Sequence, residues 1–123
     1  MLKFDIYRIF LTIFGAVQIL SNSIYLIRKN GVGLARKQHS ELPKTATDRQ
    51  VFIKMICMLS FGILLFATGV IVSFVRSSYP IGVTIALGAY TLYALIEALY
   101  YRSGKTTGAF ILPLVLLAAF FIF

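Results

Sequence analysis

Few side chains in this sequence are of a type that does chemistry, and their spacing narrows what that chemistry could be. The one histidine, His39, stands two residues from Glu41, one of only four acids. A His and a carboxylate that close could serve as a base and its orienting group, or as two of the four ligands of a zinc ion. Neither set is complete. Asp48 is the other acid of the same polar stretch, and the single cysteine, Cys57, lies in an apolar run, so further ligands must come from far along the chain or from another molecule. The expectation is a solvated His39 on a basic loop, with no metal and no cofactor.

The second set of candidates is embedded in apolar sequence. Glu97 is the only acid inside a long hydrophobic segment, where an ionisable group is costly enough to mark a site. Lys54 is its counterpart in the preceding apolar run. Gln18, Ser21, Asn22 and Tyr25 fall on one face of a helix, as do Gly82, Ala86, Ala89, Tyr93, Glu97 and Tyr100 in another segment, and Lys54 shares a side with Met58, Gly62 and Gly69. These faces are expected to point inward.

The elements that hold these residues follow from composition. With 59% hydrophobic and 13% charged residues among 123, the chain has the balance of a membrane protein. Four apolar segments, at residues 6–27, 52–75, 80–101 and 108–123, occupy about two thirds of it, close to the ~20 residues each that a crossing requires. The last is short, roughly 24 Å as a helix, unless it begins near Lys105. The runs are apolar all round, which excludes the alternation of a β-barrel. The predicted fold is therefore a single all-α membrane domain, an antiparallel bundle of four transmembrane helices joined by a long basic loop, residues 28–51, and two tight connections.

Charge sets the orientation. Arg28, Lys29, Arg36, Lys37, Lys44, Arg49, Lys54, Arg102 and Lys105 fall on the side of the long loop, leaving Lys3, Arg8 and Arg76 on the other. The positive-inside rule then places the loop in the cytoplasm and both termini outside, in a multi-pass protein of a cell membrane, with the bacterial cytoplasmic membrane as the expected one. That distribution also accounts for the net charge of +8 without nucleic acid as a partner. The alternative of a cleaved signal peptide, with Lys3 before an apolar run, is weaker because the dense positive charge follows the segment.

Within the loop, Thr47 and Gln50 form a capping box for the second segment, with Asp48 in its first turn. Leu34, Gln38 and Leu42 permit a short helix on the membrane surface, its leucines dipping into lipid. Arg28, Lys29, Arg36 and Lys37 are expected to lie against anionic lipids of the inner leaflet or against an acidic partner, with His39 and Glu41 on the same surface.

In the predicted topology Asn22, Lys54 and Glu97 share a depth, roughly 6 to 8 Å from the loop-side helix ends. The expectation is a paired or water-bridged Lys54 and Glu97, with Asn22, Gln18, Tyr93 and Tyr100 completing a network. Such a cluster either neutralises itself and fixes helix order, or forms a pocket in which Glu97 binds a proton or cation. In size and in holding one intramembrane Glu the chain resembles the small four-helix multidrug transporters. Theirs lies in the first helix and this one in the third, so the likeness is of architecture and assigns no residue a role.

The sequence holds no Gly-rich phosphate loop, no G-x-S-x-G and no H-E-x-x-H. Two functions remain: a non-enzymatic accessory protein that binds a membrane protein or membrane-active peptide, as in immunity or a small-subunit role, and a small transporter or channel, which four helices would form as a homo-oligomer.

Overall fold

The computed structural model describes residues 2–39, 42, 44–102 and 104–122. Five α-helices, α1 (Leu2–Ile27), α2 (Gly31–Gln38), α3 (Asp48–Phe74), α4 (Tyr79–Tyr101) and α5 (Gly104–Ile122), follow in order, with one 3-10 turn, Arg76–Ser78, between α3 and α4. All but α2 are long and apolar enough to cross a membrane. Each of the four extends beyond the apolar run that announced it, because helix geometry continues until a cap or a turn stops it. For α5 this matters most: its 19 residues begin at Gly104, which lengthens it to about 29 Å and removes the predicted shortfall.

The start of α3 is set as expected. Thr47 accepts from the Gln50 backbone N–H while the Gln50 side chain accepts from the Thr47 N–H, a complete capping box. α4 ends differently, on Arg102 with φ 52°, the one non-glycine residue with a positive φ among those described. That left-handed cap lets the chain reverse into α5 within three residues.

α1 packs along α3, α3 along α4 and α4 along α5, each pair antiparallel, and α5 returns to α1 at the end that holds both chain termini. There the Lys3 ammonium donates to the Phe120 carbonyl, and the Tyr7 hydroxyl to the Leu116 carbonyl at 2.6 Å. The core at this end is Tyr7, Leu11, Leu65, Val83, Ala86, Leu87 and Phe120.

Glycine decides the α1–α3 contact. A Cβ on Gly15 would stand 2.7 Å from the Gly62 carbonyl oxygen, and one on Gly69 would stand 2.7 Å from the Thr12 backbone nitrogen. Side chains are absent where the two backbones touch, as the closest membrane-helix packings require.

The long loop departs from its prediction. α2 does not lie on a surface with Leu34 and Leu42 in lipid; it folds back against α1 and α3. Its buried residues are Gly31 and Ala35, Leu34 is half-buried, and Leu42 packs with Ala35, Ala46, Val51 and Met55 in a second core at the loop end. Gly31 has no positive φ. It is glycine because a Cβ there would overlap the Tyr25 carbonyl. The small residues Gly31 and Ala35, four apart, are what let α2 dock.

Candidate functional site

Lys54 lies on the inward face of α3 together with Met58 and Gly62, as expected, and Glu97 is buried on α4. Their heights coincide. The Lys54 ammonium donates to Glu97 Oε1 at 2.6 Å, with the two side chains 5% and 8% exposed. One turn back on α4, the Tyr93 hydroxyl donates to Glu97 Oε2 at 2.7 Å, and the Lys54 nitrogen lies 5.2 Å from the centre of the Tyr93 ring. Both carboxylate oxygens are thus engaged within the chain. Charge-assisted bonds of this length suit a site from which water is largely excluded. A cavity of about 220 Å³ adjoins the pair between α3 and α4, lined also by Cys57 and Tyr101.

The predicted network divides in two. Tyr100 lines the same cavity but is 68% exposed and bonds neither Lys54 nor Glu97; its hydroxyl receives a long 3.4 Å bond from Gln50. The buried face of α4 runs through Val83, Ala86, Leu87, Thr91, Ala94, Glu97 and Ala98; it keeps Ala86 and Glu97 of the predicted face and leaves Tyr100 outside it. Asn22 joins neither Lys54 nor Glu97. Its amide nitrogen donates to the Gln18 carbonyl at 2.8 Å and to Gln18 Oε1 at 3.1 Å. Its oxygen lies 3.1 Å from His39 Nε2, which therefore carries the proton of that bond.

His39 is thus not solvated: it is 3% exposed, and its ring is held inside the bundle end by Asn22. Charge and polarity around it suggested water, but the docking of α2 carries it inward. Glu41 lies outside the described residues, and no group of three potential metal ligands occurs among those described. Of the four basic residues expected against the inner leaflet, Arg28, Lys29 and Lys37 are exposed. Arg36 is turned from lipid to the chain itself, donating to the Ala46 carbonyl at 2.6 Å and to Asp48 at 2.9 Å, and so ties α2 to the start of α3.

No family model, curated protein or solved structure matches this chain. The geometry therefore carries the functional reading.

One feature lay outside the predicted site. Gln38 was grouped with two leucines by spacing, yet together with His39 it closes one end of a cavity of about 280 Å³ bounded by α1, α4 and α5. The signal for this was the Gly31 and Ala35 pair, which marks the docked face of α2. The helix hydroxyls of Ser60, Thr68, Ser73 and Thr84 each donate to the carbonyl four residues before.

Proposed function

We propose that this chain is a non-enzymatic integral membrane protein that binds another membrane protein or a membrane-active peptide through its outer helix faces. In this reading residues 28–51 lie in the cytoplasm, both termini lie outside, and Arg28, Lys29 and Lys37 rest against anionic headgroups. The observation that supports it is the closure of the polar residues upon one another. Glu97 has both oxygens bound by Lys54 and Tyr93, so the ion pair fixes the register of α3 on α4 and leaves the partner-facing surface to apolar stripes. Ile6, Ile9, Ile13, Val17, Leu20 and Ile24 form such a stripe on α1, all exposed.

The test is photo-cross-linking from these stripes in native membranes. A discrete adduct with a second polypeptide supports the reading, and self-adducts alone count against it.

One observation favours a second reading, transport by an oligomer of this chain. The cavity beside Lys54 and Glu97 would admit a proton or small cation to the carboxylate. Cation- or proton-dependent flux in proteoliposomes, lost with Glu97→Gln, would select it.

A further inference from the structure

We infer that the cleft between α1 and α5 is a binding site for a single-chain neutral lipid whose head carries a hydroxyl group, drawn from the bilayer and held beneath Gln38 and His39. This rests on the membrane placement proposed above and adds a ligand to it.

The cleft is two-sided in chemistry. Phe10 and Phe14 of α1 and Leu112 and Leu116 of α5 make apolar walls, and Leu87 of α4 lies between them. At one end the lining becomes polar, with Gln18, Gln38 and His39. Leu112 is 64% exposed on the outer face of α5, so access is from the hydrocarbon and not from water. Between Phe10 and Gln18 the cleft follows about 12 Å of helix. Its volume, about 280 Å³, is near the lower bound of ~300 Å³ for small-molecule sites, which suits one chain and excludes two.

The polar end is incomplete. Gln38 Oε1 is buried with no hydrogen-bond partner. Gln18 is 7% exposed; its oxygen accepts from Asn22, and its amide nitrogen is a donor at the same end of the cleft. The buried Gln38 oxygen left so is destabilising, and in hydrocarbon no water is at hand to complete it. Gln38 Oε1 asks for a donor, and the Gln18 amide offers a proton to an acceptor on the same small group. A hydroxyl supplies both. A carboxylate or phosphate offers acceptors only and brings a charge into an apolar cleft. Pro113, which lines the same cleft, also removes the N–H that would bond the Ala109 carbonyl beside it.

The probe is a diazirine-tagged monoacylglycerol in phosphatidylcholine nanodiscs holding the full chain, with a diazirine-tagged fatty acid in parallel. Co-elution of protein with discs reports the membrane reading separately; labelling reports the cleft. Saturable labelling is expected on the peptides around Phe14 and Leu112, reduced about fivefold by excess untagged monoacylglycerol and little by fatty acid, the range that one or two hydrogen bonds allow. Ala109→Trp, which fills the cleft, should abolish the saturable part, while Ile63→Trp on the exposed face of α3 should leave it intact. Gln38→Leu, outside the four long helices, should keep labelling but erase the preference for the hydroxylated head, and so serves even if Ala109→Trp does not assemble. Labelling that does not saturate, is spread equally to peptides around Ile63 and Ile85, or is competed equally by both lipids would overturn the proposal.

Discussion

Replacing Lys54 with Met removes one charge from a pair in which both side chains are more than nine-tenths buried, and leaves the Glu97 carboxylate with the Tyr93 hydroxyl as its remaining donor. Breaking a buried pair from one side costs about 3–5 kcal/mol, whereas replacing both members with apolar residues of like volume is close to neutral or stabilising. Lys54→Met and Glu97→Leu should therefore each lose about 3 kcal/mol, and the double variant about 0–1. The coupling that follows, well above ~2 kcal/mol, is distinguishable from an ordinary interhelical hydrogen bond in a membrane bundle, which averages ~0.6. The chain has no tryptophan, so the assay is unfolding by SDS in mixed micelles followed by far-UV circular dichroism. A double variant that loses the sum of the two singles would refute the reasoning, because it would show two residues that do not sense each other.

Three further outcomes are expected. Gly15→Ala should destabilise by about 1–3 kcal/mol in the same assay, because its Cβ meets the α3 backbone, whereas Gly88→Ala, which meets nothing within 4 Å, should be neutral or gain up to ~1 kcal/mol. His39→Ala should loosen the docked loop and speed trypsin cleavage at Lys37 and Lys44 several-fold, at a cost of about 1–3 kcal/mol from the stranded Asn22 oxygen; an unchanged digestion rate would show that α2 docks without it. In a Cys57→Ser background, a membrane-impermeant maleimide should label Ser77→Cys from outside and Lys44→Cys only after the membrane is opened; the reverse pattern would invert the proposed topology.

The parts of the fold set by local forces were legible in the sequence. Apolar runs of crossing length marked four helices, and the Thr47 and Gln50 spacing marked the start of α3, because caps and hydrophobic length act within a few residues. Lys54 and Glu97 were paired correctly because depth follows from counting residues at 1.5 Å each. Counting yields height and not azimuth, which is why Asn22, at the same height, was joined to the wrong partner and Tyr100 was placed inside. The docking of α2 was not legible. Nothing in the polarity of residues 33–50 distinguishes a loop in water from one folded against the helix ends, and the signal lay in the small residues Gly31 and Ala35, whose meaning depends on Tyr25 being beside them. His39 moved from solvent to interior as a consequence.

Photo-cross-linking from Ile13 in native membranes, with wild type and the folded Lys54→Met/Glu97→Leu double variant side by side, tests the central claim most directly. A structural ion pair and a partner-binding surface predict one discrete adduct with another polypeptide, present in both proteins. Self-adducts alone, or an adduct that the double variant loses while still folded, would contradict the account and move the function to Glu97.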